Sequence, residues 1–456
     1  MKTFALLGLV AALASTTVSA APSVYPTGVT IYDKSKAWNG YTLLSGADKH
    51  TYLVDMNGQA VHRWPYPGFP SLLVDPALNQ GRKGHVLVQL EERKDPDKRS
   101  FGNGVNNHAI AELDWSGKVV WQWSGEERAG EARAGQSAAD RPAASNAYQH
   151  HDLQRLDNGN TLVLANQLHR IAGFKLEQII DDALYEVAPD GKVVWRWLAS
   201  EHLDEFGFTA EQLELVRGTS LADYLHMNNA HTLGPNKWFD AGDKRFAPDN
   251  ILIDSRQANF LVILDKGTGK VVWRLGPNYP DAGPRNPFAK GPDLPRAVDQ
   301  LSGQHDAKLI AKGLPGAGNI LVFDNQGGAG YPGVAYPIIT GASRVLEIDP
   351  STLQIVWEYR AGTSLFSAFT SSARRLPNGN TLIAEGQTGR VFQVTKEGQI
   401  VWEYVSPYFS KPTDARPASN ALYRATPVPY DWVPKGTAHG EKPVKTPALQ
   451  AFNVPR

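Results

Sequence analysis

The chain has 456 residues with 46 basic and 46 acidic side chains, so it lacks the long-range field on which nucleic-acid or anionic-membrane binding depends. It contains no cysteine, which excludes disulfides, a thiolate nucleophile and Cys-ligated zinc. Twelve Trp, 42 Gly and 31 Pro favour turns and half-buried strands over helices.

The first 20 residues place Lys2 before an apolar run from Phe4 to Ala14 and end in Val18-Ser19-Ala20, the pattern of a secretory signal cleaved after Ala20. No later run approaches the roughly 20 apolar residues that a membrane span needs. The mature protein is therefore expected to be exported, periplasmic or secreted, without membrane insertion or a nucleic-acid partner.

From there the chain repeats one phrase six times: "TYLVDMNGQAVHRW" (51–64), "IAELDWSGKVVWQW" (110–123), "LYEVAPDGKVVWRW" (184–197), "LVILDKGTGKVVWRL" (261–275), "RVLEIDPSTLQIVWEY" (344–359) and "RVFQVTKEGQIVWEY" (390–404). An apolar alternation, a turn of Asp, Asn, Gly or Pro, and a second alternation ending on Trp make a β-hairpin. The Trp residues 64, 121, 195, 273, 357 and 402 are expected to pack between neighbouring units. Ahead of each hairpin runs a further short strand, as in "GYTLLSG", "GHVLVQL", "GNTLVLA", "DNILIDS", "GNILVFD" and "GNTLIAE". In the clearest copies another strand precedes that one, as in "HDLQRLDNGNTLVLA".

Six units of four strands predict an all-β fold: a six-bladed β-propeller of four-stranded antiparallel blades, with loop and short-helix insertions on one face. A quinoprotein propeller carries a similar Gly-x-x-x-Trp phrase, but it uses eight blades. The expected division is a signal at 1–20, the propeller at 21–410 and a Pro/Ala-rich tail at 411–456 that packs on the ring or closes it.

Three long excursions, 124–147, 198–225 and 276–302, each separate a closing Trp from the next blade's first strand, which puts all three at one mouth of the channel. In the second, Thr209 and Gln212 form a capping-box pattern opening a short helix. Just after these excursions the innermost strands begin. Aligning them on Leu156, Leu233, Ile310 and Leu376 brings His151, Asn228, His305 and Ser371 to equivalent places. His226 lies two residues before Asn228, and His231 three after it. Asp152 and Asp306, each next to an aligned His, are expected on the opposite strand face, pinning loops. Arg256 and Arg344, each following a Ser, offer forked contacts to an anion.

Neutral imidazoles beside Asn and Arg suit a small anion such as sulfate. No phosphate-cradling Gly loop, nucleophile elbow or His-Glu-x-x-His zinc helix is present.

The phrases "DYLHMNN", "DNILIDSRQANFLVILDKGTGKVVWRLG", "GQHDA", "NILVFDNQ" and "LPNGNTLIAEGQTGRVFQV" resemble, in order and spacing, the bacterial arylsulfate sulfotransferase family over roughly 145–405. The resemblance implies a propeller whose central histidines move a sulfuryl group from an aryl sulfate to a phenol through a transiently sulfated His, with no cofactor or metal. By motif, His226 and Asn228 match the His-x-Asn phrase, His305 the Gln-His phrase and Arg256 the Ser-Arg phrase. The expected catalytic set is His305 as nucleophile or base with His226 and His151. Asn228, Arg256, Arg344, His231 and Ser371 are expected to bind substrate. Two other readings stay open: a non-catalytic propeller binding a small anion or glycan, and a metal enzyme ligated by His150, His151, His226, His231 and His305.

Overall fold

The computed structural model describes residues 26–92, 107–124, 148–276, 301–327, 329, 342–413 and 417–445. The expected signal segment and most of the first and third excursions lie outside these residues. Within them the chain forms six antiparallel blades around a central channel.

Counting each blade from the channel outward, blade 2 comprises Leu72–Leu73, Val86–Glu92, Asn107–Leu113 and Val119–Trp123. Blade 3 comprises Tyr148–Arg155, Thr161–His169, Ile179–Val187 and Val193–Leu198. Blade 4 comprises Met227–Thr232, Ile251–Ser255, Phe260–Leu264 and Val271–Leu275, and blade 5 His305–Leu309, Ile320–Asp324, Arg344–Asp349 and Gln354–Arg360. Blade 6 comprises Ser372–Arg375, Thr381–Glu385, Arg390–Val394 and Ile400–Val405, with Gly28–Tyr32 added at its outer edge. Blade 1 is composite: Tyr41–Ser45, Thr51–Val54 and Ala60–Trp64 come from the start of the chain, but its innermost strand is Ala425–Val428. Blades 1 and 6 thus join early and late segments of the chain, and Ala425–Val428 closes the ring.

Between blades the packing is apolar. Ile251, Ile253, Phe260 and Val262 of blade 4 meet Leu162, Leu164 and Leu184 of blade 3 in one buried cluster. The Trp side chains add a directional clasp, because a buried indole N–H needs an acceptor. Trp64 donates to the Asp114 carbonyl, Trp197 to Gly269, Trp273 to Pro350, Trp357 to Lys396 and Trp402 to Met56, each reaching the outer hairpin turn of the next blade at 2.7–3.2 Å. In blade 3 the clasp is made by Trp197, while Trp195 packs as expected against the cluster shared by blades 3 and 4. Strand pairing opposes Trp195 to Glu186 and Trp197 to Leu184, and the buried ring is that of Trp197.

The second excursion carries the helix Ala210–Arg217, capped by Thr209 and Gln212 in a reciprocal capping box. It ends in the segment that delivers Asp223 and His226 to the channel. Among the described residues no helix is long and apolar enough to cross a membrane.

Candidate active site

Strand register defines a ring of six equivalent positions at the channel mouth, one per blade: Tyr423, Phe69, His151, Asn228, His305 and Ser371. One side of this ring is aromatic. Phe69 stacks on Tyr423 with centroids 3.9 Å apart, and His151 stands edge-on to both, at 4.8 and 5.5 Å. The other side is polar.

The polar side owes its geometry to irregular backbone. His151, His226, Asp306, Thr370 and Ser371 all have positive φ, and the inner strands of blades 3, 4 and 5 shift register at these places. Left-handed conformations at non-glycine residues cost energy and are held in place by surrounding contacts. The bulge breaks the alternation of the strand. That corrects the expected orientation of Asp152 and Asp306: both face the channel beneath the His ring rather than turning away to pin loops. Arg424 lies between them, with Nη1 2.9 Å from Asp152 Oδ1 and Nε 3.3 Å from Asp306 Oδ1. Arg374 holds Asp306 from the other side. Burial alone would raise the Asp152 pKa, but Arg424, then His231 and Lys308, pull it well below the usual carboxylate range. This buried ion cluster forms the floor of the site.

Above the floor lie three imidazoles. His151 and His226 have ring centroids 4.7 Å apart. His305 is buried and close enough to His226, Arg256 and Arg424 to feel their charge. Burial first, then Arg256, holds its pKa well below 6.5, so it is neutral at physiological pH. Burial likewise depresses His151, with His226, His150 and His305 adding to the effect.

Each imidazole has a defined partner. His305 Nδ1 lies 2.8 Å from Asn325 Oδ1 and 2.9 Å from the Gly303 carbonyl, two acceptors that require Nδ1 to carry the proton. Its lone pair is then on Nε2, which accepts the Thr370 backbone N–H at 3.1 Å. His226 Nδ1 is 2.5 Å from Asp223 Oδ2. Burial would raise Asp223, but His226, His150 and Arg256 hold it below its ordinary value. His150, directly before His151, places Nδ1 2.7 Å from His151 Nδ1 and Nε2 3.1 Å from Asp182 Oδ1.

The remaining expected residues divide. Asn228 is fully buried, with its amide nitrogen on the Gln304 carbonyl and its Oδ1 unpartnered among the described residues. Arg256 follows the second strand of blade 4 on the same face, half-buried. Among the described residues its guanidinium makes no hydrogen bond, and the nearest opposing charge is Asp223. Arg344 begins the third strand of blade 5, where Asp324 Oδ2 at 2.6 Å and Glu358 at 3.5 Å engage its guanidinium two strands away from the ring. Ser371 occupies its ring position, with Oγ accepting the Gly386 N–H. His231 sits below the mouth, because three residues of strand carry it about 10 Å along the channel. There its Nε2 is 3.3 Å from Asp152.

The sequence reading did not find Phe69, Tyr423 and Arg424. Phe69 precedes a two-residue strand with no visible alternation, and the other two belong to "YRATPV", whose sheet partners lie nearly 400 residues earlier. The phrase Gln-His-Asp is now explained in part: Gln304 donates to the Ser255 and Phe260 carbonyls of blade 4, locking the blade that carries His305 to its neighbour.

No curated protein sequence matches the chain. Among solved structures it is similar to a protein of unknown function from Bacteroides caccae, 11% identical over 86% of this chain and 99% of that one, with a TM-score of 0.45. It is also similar to virginiamycin B lyase from Staphylococcus aureus with quinupristin, 8% identical over 84% and 93%, with a TM-score of 0.37. These likenesses are too distant to speak to activity. The model of the arylsulfotransferase (ASST) family matches residues 133–413, more than half the chain and the part that carries His151, Asn228, His305 and Ser371. On that match, the chain belongs to the arylsulfotransferase family.

Proposed function

We propose that the ring transfers a sulfuryl group from an aryl sulfate to a phenol, with His305 as the nucleophile. What supports this reading is the placing of His151 and His305 at equivalent ring positions, with the His226 ring 4.7 Å from His151 and Arg256 acting on His305, in a chain of this family.

His305 Nε2 attacks sulfur, its lone pair forming the N–S bond as the S–O bond to the aryl group breaks. The Thr370 N–H that now meets Nε2 is released by that bond and donates instead to a sulfuryl oxygen. Arg256 and Asn228 supply further donors for the developing charge. A leaving phenolate has a conjugate acid of pKa about 10, so it takes a proton, and His226 supplies it while Asp223 holds the opposite ring nitrogen. In the second half the acceptor phenol attacks sulfur, the N–S bond breaks, and the acceptor's proton returns to His226. Phe69 and Tyr423 seat the aromatic ring of either substrate. Export from the cell, as the N-terminal segment suggests, would expose this site to phenols outside the cytoplasm.

The test is an assay with 4-nitrophenyl sulfate as donor and phenol as acceptor. Turnover that requires the acceptor and is lost in His305→Ala supports the proposal; no turnover in the wild type overturns it. The Thr370 contact, which occupies the His305 lone pair, favours one competing reading, a non-catalytic anion receptor. That receptor would bind sulfate in calorimetry without any turnover. The metal reading gains no support from the donor geometry: among the described residues no three His, Asp or Glu side chains are arranged to hold an ion.

A further inference from the structure

The chain Asp182···His150···His151 runs beneath the ring and is not used by the steps above. We infer that His150 is a positioning residue that fixes the tautomer of His151, leaving the His151 Nε2 lone pair in the pocket to take the acceptor's phenolic proton and pass it to His226. This rests on the sulfuryl-transfer reading for its chemistry, but the tautomer itself does not.

The geometry leaves few arrangements. Two Nδ1 atoms 2.7 Å apart can share only one hydrogen, so one ring donates and the other accepts. Asp182 decides which. Its Oδ1 lies 3.1 Å from His150 Nε2 as an ion-pair contact, neither atom making a hydrogen bond among the described residues, and its Oδ2 accepts the Met227 backbone N–H at 3.1 Å. A carboxylate oxygen this close repels a lone pair and favours the His150 proton on Nε2, which makes His150 Nδ1 the acceptor and His151 Nδ1 the donor. His151 Nε2 is then a base. It meets no hydrogen-bond partner among the described residues, and His151 lies between the aromatic wall, 4.8 Å from Phe69, and His226 at 4.7 Å.

His151 faces His150, His226, His305 and Arg424, none of which is an anion, so a proton placed on it is readily passed on. Asp182 faces His150 and, more distantly, Asp223. Burial raises its carboxyl, and His150 opposes that rise. The proton balance closes. The phenol O–H bond breaks, Nε2 of His151 takes the proton, and the neighbouring His226, with its ring centroid 4.7 Å away, receives it, restoring the acid used in the first half.

The experiment combines 15N NMR of histidine-labelled protein with transient kinetics on wild type, His150→Leu and His150→Asn. The expected wild-type spectrum shows His151 protonated at Nδ1. His150→Leu removes the acceptor, so the tautomer shifts, and the second half-reaction slows about 10²–10⁴-fold, far more than the first-phenol burst. His150→Asn keeps an acceptor oxygen near the Nδ1 position and restores much of both. A wild-type His151 protonated at Nε2 would overturn the inference even if His150→Leu does not fold. Equal tautomers and equal turnover in wild type and His150→Leu would overturn it too. Absence of any burst in the wild type strikes the transfer reading instead, with the NMR result still deciding the tautomer.

Discussion

Replacing Arg424 with Met removes a guanidinium while keeping most of its stem, and the cost can be worked from its partners. Arg424 and Asp152 are both almost wholly buried and 2.9 Å apart. Asp306 keeps Arg374 after the change, and the Asn228 carbonyl, to which Arg424 also donates, keeps the Tyr423 hydroxyl, so the loss centres on Asp152. That carboxylate retains the Leu153 and Ala230 backbone N–H groups and His231 at 3.3 Å. His231, with its pKa pushed down to about 4, chiefly by burial, brings no charge at pH 7. Breaking a buried ion pair from one side costs about 3–5 kcal/mol, most of it for the charge left behind. With about 2.1 cal/mol/K of unfolding entropy per residue over roughly 400 residues, about 4 kcal/mol lowers Tm by about 5 °C. Adding Asp152→Asn removes the stranded charge, so the double variant should recover more than half of the loss. Calorimetry of the wild type, both single variants and the double variant measures this. A shift below about 1 °C for Arg424→Met, or a double variant no more stable than it, would mean that Arg424 does not neutralise a buried charge on Asp152.

Three further outcomes are expected. His231 is held near pKa 4 in the folded chain against about 6.5 unfolded, so as pH falls through 6.5 the unfolded chain binds the proton first. Its contribution is complete above pH 6.5 and lost by pH 4, amounting to about 3 kcal/mol; His231→Gln should flatten the Tm-against-pH curve over that window, and an unchanged slope would count against it. Phe69→Ala removes the stacked wall, and at about 0.5–1.5 kcal/mol per aromatic contact it should raise KM for an aryl sulfate about 2–10-fold with little change in kcat. Asp223→Asn leaves the shape of the site but no longer orients and stabilises the His226 acid. Turnover should fall about 10²–10⁴-fold, with the largest losses for donors whose phenols are least acidic.

The fold was largely readable because its repeat is written in local patterns. A Gly-turned hairpin ending on Trp needs no long-range information, and neither does the capping box at Thr209. Blade 1 was not readable in this way: its inner strand, Ala425–Val428, carries Pro427 and pairs with Tyr41–Leu44. Only ring closure makes "ATPV" a strand. The site divided along the same line. His151, Asn228, His305 and Ser371 fell into register because each begins a strand with a recognisable closing residue. The side-chain directions of Asp152 and Asp306 were misjudged because a positive φ at His151 and Asp306 defeats a period of two. Arg344 looked like Arg256 in sequence, each after a Ser, but it opens a third strand and meets Asp324, whereas Arg256 follows a second strand near His305.

Transfer through a sulfated His305 is the step on which the proposed reaction depends. It is tested most directly by mixing the protein with 4-nitrophenyl sulfate without acceptor, quenching at alkaline pH, and measuring intact and peptide masses. The expected result is one added sulfuryl group per chain, located on His305 and discharged by phenol. Formation of sulfated product with no labelled enzyme, or a label on any other residue, would contradict it.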